Sequence, residues 1–141
     1  MAIKIIKLNK KDKKSLDSFF KKEWRKFNIK RNYRWNKKEY NFIAKDNKIL
    51  GHIKFNIVGG VAYLSEIIVA ESVRGKGVSD LLINKFEEIA KKKKCHLLYL
   101  ETSEKHTEAL RFYKKHNYKI KVKLKDNKFH FTWYFLFKKL S

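Results

Sequence analysis

Residues 64–82 read LSEIIVAESVRGKGVSDLL, in which an apolar strand leads into a short polar turn, then RGKG, then an amphipathic helix. Glycine in such a turn lets the backbone approach a ligand closely and adopt positive φ. The first amides of a helix have no partner inside it, and they lie at the positive end of its dipole. Together with the charges of Arg74 and Lys76, these amides predict an anion-binding cradle at residues 74–79.

The RGKG segment differs from two familiar phosphate-binding signatures. It lacks the Gly-x4-Gly-Lys-Ser/Thr spacing of a P-loop and the Gly-x-Gly-x2-Gly spacing of the dinucleotide fingerprint. Taken alone, it also fits a turn that only connects a strand to a helix. The rest of the chain therefore has to decide between these two interpretations.

The flanking patterns predict alternating strands and helices. Weak alternation predicts a strand over residues 2–8, and apolar residues at helical spacing predict a helix from Lys11 to Phe27. Residues 28–39 fit either a short helix or a loop. The remaining predicted elements are strands over 40–45, 49–58 and 61–69, a helix over 77–92, a strand over 96–101, a helix over 105–116, and strands over 118–124 and 129–137.

The turns between these elements predict how the strands pair. Asp46-Asn47, Gly59-Gly60 and Asp126-Asn127 favour antiparallel hairpins. The strand–helix–strand unit over 61–101 predicts two parallel strands joined by a right-handed crossover. The order βα(α)βββαβαββ indicates an α/β fold with a largely antiparallel central sheet flanked by helices. With no linker or repeat, we expect one domain over residues 1–141.

The run Arg74-Gly75-Lys76-Gly77-Val78-Ser79 resembles motif A of the GCN5-related N-acetyltransferases, Arg/Gln-x-x-Gly-x-Gly/Ala. Ser79 departs from the pattern, since it stands where the family has Gly or Ala. Serine is small, so close approach of a ligand is still expected.

A second resemblance to the same family lies downstream. Residues 106–118 read HTEALRFYKKHNY and are similar to the pattern Asn-x2-Ala-x3-Tyr-x3-Gly-Phe. Ala109, Tyr113 and the final aromatic match. His106 replaces Asn, and Asn117 replaces Gly, a mild change because Asn tolerates the left-handed conformation. The two motifs and the element order together imply the fold of this family.

The resemblance implies acetyl-CoA as cosubstrate and transfer of acetyl to a primary amine by direct attack on the thioester. In the family, the strand before motif A splays from its neighbour and its backbone holds the pantetheine and thioester. This implies a backbone amide near Ile68 as the oxyanion donor. The implied cofactor-binding residues are Ile67, Ile68, Val69, Arg74, Gly75, Lys76, Gly77, Val78, Ser79, His106 and Ala109.

The resemblance also implies catalytic roles. Tyr113 matches the family tyrosine near the CoA sulfur and is the candidate general acid, although an ordinary core aromatic is the alternative. Glu101 matches the base of the subgroup similar to the ribosomal-protein N-terminal acetyltransferases, and Glu66 that of histone-type members. Deprotonation through water without a single base is a third alternative. Glu101 also fits a simple strand-end salt bridge.

The acceptor amine stays open among a small amine, a protein N-terminus and a lysine. In this family the acceptor-side walls come from the first helices and the last hairpin. The aromatic-rich set in those regions fits either an acceptor groove or core packing and consists of Trp24, Phe27, Tyr33, Trp35, His130, Trp133 and Tyr134.

The net charge is +22 and the isoelectric point about 10.0. A lysine coat from codon bias or heat adaptation explains this charge, and nucleic-acid binding is the competing interpretation. The alternatives to an enzyme are therefore a basic nucleic-acid-binding module and a non-catalytic CoA sensor. A homodimer is compatible with the sequence, which does not define the oligomeric state.

Other signals predict a cytoplasmic protein without a membrane or metal partner. The first segment lacks a signal-peptide pattern, and no apolar run approaches the roughly 18 residues of a membrane span. Cys95 is a lone cysteine and forms no internal disulfide. The five histidines show no metal-ligand spacing such as HExxH.

Overall fold

A computed structural model of the chain describes residues 2–26 and 36–140. The chain divides into two compact units, Met1–Tyr33 and Arg34–Ser141, each described here by itself. The expectation of one domain stays a prediction. In the described ranges, no helix is long and apolar enough to cross a membrane.

The first unit contains the predicted amphipathic helix, α1 (Lys13–Arg25), which follows a 3₁₀ turn at Lys10–Asp12. The side chain of Asn9 caps this turn by accepting a hydrogen bond of 3.0 Å from the Asp12 amide. The predicted helix is therefore confirmed up to Arg25, whereas Phe27 lies outside the described residues.

The predicted strand over residues 2–8 is wrong. These residues have no regular secondary structure, and Ile5 is 95% exposed. A strand exists only where another strand satisfies its backbone donors and acceptors, and apolar alternation cannot supply that partner. The segment predicted as a short helix or loop comprises residues 28–39. Its residues 28–35 lie outside the described chain, and Lys38 and Glu39 belong to a strand.

The second unit is built on a sheet of six strands within the described chain. Its strands are β1 (Lys38–Lys45), β2 (Ile49–Val58), β3 (Val61–Val69), β4 (Leu97–Ser103), β5 (Lys119–Leu124) and β6 (Trp133–Lys139). The spatial order is β1-β2-β3-β4-β6-β5. As predicted, β3 and β4 are parallel and the other neighbours are antiparallel.

The last hairpin begins its second strand later than predicted. The prediction started this strand at residue 129, but residues 128–130 form a 3₁₀ turn and β6 starts at Trp133. Phe129 and His130 have φ of 60°, which is outside the extended region a strand requires.

Two helices complete the second unit: α2 (Val78–Lys92) and α3 (Thr107–Lys115). The apolar face of α2 packs against β2 and β3. Each fully buried Leu, Ile or Phe contributes about 1.5–3 kcal/mol. The fully or nearly fully buried apolar residues at the centre of the core include Ile53, Phe55, Leu64, Ile83, Phe86, Leu98, Leu100 and Leu136.

The sheet opens between β3 and β4. Within the described strands, these two pair at only three positions, of which the last is Tyr63 with Tyr99. The β2–β3 register shifts between Lys54 and Phe55 and leaves Ser65 without an opposite residue, and such a bulge bends a strand. From Leu64 onward the β4-facing edge of β3 is therefore open, and this opening forms the site.

Candidate active site

A cavity of about 890 Å³ occupies the opening between β3, β4 and α3. This volume lies in the range of small-molecule sites, roughly 300–1,000 Å³. Every residue of β3 from Leu64 to Val69 contributes to its wall. The other lining residues are Arg74, Gly75, Ser79, Glu101, Thr102, Lys105, His106, Thr107, Glu108, Ala109, Phe112, Tyr113 and Trp133.

One end of the cavity is the turn that leads into α2. Gly75 and Gly77 have φ of +77° and +84°, and a Cβ on either would meet open space. The obstacle to a side chain there is thus the left-handed backbone, which costs about 1–2 kcal/mol for an L-residue. This explains why the turn carries glycine at both positions.

The first amides of α2 are free at this end. The Leu81 amide is the first in the helix to donate a backbone hydrogen bond, which it makes to the Gly77 carbonyl at 3.1 Å. The amides of Val78, Ser79 and Asp80 donate to no other residue that the structure describes. Free amides at a helix start favour an anion. Of the predicted cradle, Arg74, Gly75 and Ser79 line the cavity, whereas Lys76, Gly77 and Val78 do not; the Val78 side chain is buried in the core.

The start of α3 forms another wall. His106 occupies the N-cap position, and its Nδ1 lies 3.4 Å from Thr102 Oγ1 and 3.5 Å from Ser103 Oγ. Both hydroxyl residues are buried. The ring is therefore oriented by β4, and the predicted residues His106 and Ala109 both line the cavity.

Tyr113 is both a core aromatic and a cavity residue. It is 7% exposed and packs edge-on against Phe112 and Tyr118, with ring centroids 5.4 and 6.0 Å away. Its hydroxyl forms no hydrogen bond with any described residue. Since every fully buried side-chain oxygen in the described ranges has a hydrogen-bond partner, the Tyr113 hydroxyl oxygen is not fully buried. The hydroxyl is therefore open to the cavity. Burial raises the pKa of Tyr113 to about 12, which keeps it protonated at neutral pH.

The two predicted carboxylates both line the cavity but differ in environment. The Glu101 side chain is 20% exposed, and its Oε1 accepts from Lys128 Nζ at 3.0 Å and Tyr63 Oη at 3.3 Å. The Glu66 side chain is 59% exposed and lies 3.4 Å from His52 Nδ1. Glu101 is thus the shielded and better-held carboxylate.

Comparison with known proteins identifies the family. A model of the acetyltransferase (GNAT) family matches residues 11–118. The chain belongs to this family. No curated protein matches the sequence.

Solved GNAT-type structures share the fold at low identity. An acetyltransferase from Bacillus cereus superposes with a TM-score of 0.76 at 23% identity, covering 97% of this chain and 98% of that one. A GNAT family acetyltransferase from Elizabethkingia anophelis with acetyl-CoA bound gives 0.67 at 20% identity, covering 72% and 76%. An N-acetyltransferase from Thermoplasma acidophilum in complex with coenzyme A gives 0.63 at 20% identity, covering 72% and 61%.

Of the set predicted for the acceptor wall, the described part of the second unit contains three members, His130, Trp133 and Tyr134. Trp133 lines the cavity, whereas Tyr134 does not and His130 is exposed beside Asp126. Trp24 belongs to the first unit. Phe27, Tyr33 and Trp35 lie outside the described residues.

Three features near the GNAT site were not predicted. The Tyr63 hydroxyl donates to Glu101, and burial, together with the charge of Glu101, raises the pKa of Tyr63 to about 12. Lys128 reaches Glu101 from the last hairpin. Asp80, in the first turn of α2, accepts from His116 at 2.6 Å. These contacts join residues far apart in sequence, so no local pattern could have indicated them.

Proposed function

We propose that this GNAT protein transfers the acetyl group of acetyl-CoA to a primary amine. The observation that carries the proposal is the cavity opened by the splay of β3 from β4. It has free helix amides at one end and the Tyr113 hydroxyl and the Glu101 carboxylate in its walls. The bound acetyl-CoA and coenzyme A in two GNAT structures of the same fold support this assignment.

The proposed cofactor site uses backbone more than side chains. Residues 74–79 would hold the pyrophosphate through the free amides of α2 and the charges of Arg74 and Lys76. The open edge of β3 at Ile67, Ile68 and Val69 would bind the pantetheine and thioester, and His106 and Ala109 would line the pantetheine from α3. The arrangement is supported by the open β3 edge and the unpaired amides.

The proposed chemistry requires three groups. Glu101 takes a proton from the acceptor ammonium, because only the neutral amine has a lone pair for attack. An amide near Ile68 donates to the oxyanion, a contribution of about 2.7–4 kcal/mol in enzymes where such a donor was removed. Tyr113, whose pKa is raised to about 12 by burial and which is therefore protonated at neutral pH, donates a proton to the departing sulfur.

The choice of base rests on the two environments. Glu101 is shielded and held by Tyr63, whereas Glu66 is well exposed and has a single partner at 3.4 Å. A shielded carboxylate acts in a lower dielectric, where its charge has a stronger effect. In this proposal the acceptor ammonium displaces Lys128 from Glu101, and Glu66 and a water-mediated route are the alternatives.

A direct test measures free thiol released from acetyl-CoA across a panel of small amines, polyamines and peptides. We expect release with one acceptor class. The matched pair Glu101→Gln and Glu66→Gln should then separate the candidate bases, with melting temperatures as a check on folding. Thiol release unchanged in Glu101→Gln would remove Glu101 as the base. No release with any acceptor, despite acetyl-CoA binding, would favour the non-catalytic sensor.

The competing nucleic-acid function and the cellular location also belong to the proposal. The net charge of +22 leaves nucleic-acid binding as the competing function, which predicts an affinity that falls steeply with salt and does not respond to acetyl-CoA. A cytoplasmic location is supported by the single cysteine, Cys95, which is buried and free.

A further inference from the structure

A lysine of the protein itself lies on the proposed base. Lys128 Nζ is 3.0 Å from Glu101 Oε1, and it lies 4.9 Å from the centre of the Trp133 ring. Glu101 and Trp133 both line the cavity. The ammonium of Lys128 therefore has the contacts with carboxylate and aromatic ring that a cationic acceptor would need.

The hairpin that carries Lys128 is closed by its own hydrogen bonds. The Lys128 carbonyl accepts from Trp133 Nε1 at 3.0 Å and from the Phe131 amide at 3.2 Å. Asp126 accepts from His130 at 2.6 Å across the turn. Phe129 is held at φ 60°, a costly conformation for a bulky residue that tends to occur at functional sites. These contacts direct Lys128 toward Glu101.

The pairing distinguishes Lys128 from the other lysine near the cavity. Three carboxylates line the cavity in the described chain, and only Glu101 among them has a lysine partner there. Lys105 lines the cavity whereas Lys128 does not, but the Lys105 Nζ lies over the Phe131 ring at 5.2 Å and forms no ion pair within the described ranges. Lys128 is thus the lysine amine that a base at the cavity already holds.

We propose that Lys128 is an acetyl acceptor within its own chain, so that the protein acetylates itself at this residue. The inference rests on the proposed function. Glu101 takes a proton from the Lys128 ammonium, and the Nζ lone pair attacks the thioester carbonyl of acetyl-CoA. The carbon–sulfur bond breaks as the amide bond forms. Of the two protons leaving the ammonium, one goes to the sulfur of coenzyme A and the other to solvent by way of Glu101.

The modification changes the site that produces it. Acetyl-lysine is neutral, so it no longer forms an ion pair with Glu101. Among the described contacts of Glu101, the bond from Tyr63 then remains. An external acceptor ammonium can take the place that Lys128 has left.

The test needs acetyl-CoA and the full-length protein but no external acceptor. Peptide mapping by mass spectrometry measures the initial acetylation rate at Lys128 and at Lys125, an exposed lysine on the same hairpin without an ion pair in the described chain. We expect Lys128 to react at least about tenfold faster, since a positioned base typically contributes a factor of about 10²–10⁴. The rate constant should not depend on protein concentration.

Variants identify the cause of the reactivity. Glu101→Gln should lower the Lys128 rate at least about tenfold, to the level of the Lys125 rate. Lys128→Arg should abolish the modification at this position, whereas Lys125→Arg should leave the Lys128 rate unaltered. Acetyl-CoA affinity and melting temperature, measured for each variant, show that folding and cofactor binding persist.

Three results would overturn the inference: equal rates at Lys128 and Lys125, a Lys128 rate indifferent to Glu101→Gln, or a rate constant proportional to protein concentration. If an external amine is acetylated while Lys128 stays unmodified, this inference fails and the proposed function stands. If neither an external amine nor Lys128 is acetylated by protein that binds acetyl-CoA, both fail.

Discussion

Replacing Tyr113 with Phe separates catalysis from packing, because the change removes the hydroxyl and keeps the ring. The ring contacts with Phe112 and Tyr118 persist, and the hydroxyl bonds to no described residue. No polar partner is therefore left unsatisfied, so the free energy of unfolding should change by less than about 1 kcal/mol. Acetyl-CoA affinity should also stay close to that of the unmodified protein.

The effect on rate follows from the role of the hydroxyl. Proton transfer by a positioned group is typically worth about 10²–10⁴-fold. A thiolate departs fairly well without help, so we expect kcat to fall by about ten- to a hundredfold, or about 1.4–2.7 kcal/mol. The pKa of Tyr113 is raised to about 12 by burial, so the hydroxyl stays protonated throughout an assay between pH 6 and about 9 and the loss should be nearly constant.

The assay is a single-turnover measurement at saturating acetyl-CoA and acceptor, in which product release cannot mask the chemical step. Tyr118→Phe is the matched control, because the Tyr118 hydroxyl donates to Glu87 at 3.1 Å in the core instead of facing the cavity. That variant should lose about 1.5–3 kcal/mol of stability with little change in rate. A Tyr113→Phe protein that reacts at the original single-turnover rate would reduce Tyr113 to a structural aromatic.

Three further predictions follow from the site. Gly77→Glu should weaken acetyl-CoA binding at least about tenfold, or about 1.4 kcal/mol, as measured by calorimetry. Gly59→Glu is the control and should leave the affinity unchanged, since Gly59 also has positive φ and faces open space. Equal affinities of the two variants would place the phosphate site elsewhere. Glu101→Gln should lower kcat/KM most near neutral pH, with recovery as pH rises and free amine accumulates; the same profile in Glu66→Gln alone would reverse the assignment. Between pH 10 and about 12, Tyr63 loses its proton in the unfolded state but keeps it in the folded state. The free energy of unfolding should therefore fall as pH rises through this range. Tyr63→Phe should reduce this pH dependence, as measured by denaturant titrations.

The hairpins of the sheet were predictable because their turns are specified locally. Gly59 and Gly60 have φ of 60° and 78°, the left-handed values that a two-residue hairpin turn demands and that glycine adopts at little cost. The bounds of β2 and β3 consequently match the prediction. The strand over residues 2–8 failed because its existence depends on a partner, which is a property of the whole fold.

The parts of the site that arise within a few neighbouring residues were predictable, and the parts that depend on contacts between distant residues were not. The glycines before α2 indicate the anion cradle, since both the free amides and the positive φ values arise within a few residues. The surroundings of Glu101 were not predictable, because Tyr63 and Lys128 come from 38 and 27 residues away. The 3₁₀ turn at residues 128–130 was not predicted either, because a phenylalanine with positive φ, as at Phe129, is an exception to the usual backbone preferences.

The opening of the sheet links the fold to the chemistry. A parallel pair that continued past Tyr63 and Tyr99 would satisfy the β3 edge with β4 and leave no space for a ligand. The bulge at Ser65 bends β3 away, while β4 stays paired to β6 through Ser103 and keeps Glu101, Thr102 and the start of α3 fixed. Unpaired strand edges are a liability in most proteins because they invite pairing with other chains. Here the open edge faces a cavity walled by α3 instead of bulk surface, so its free donors and acceptors are available to a bound ligand.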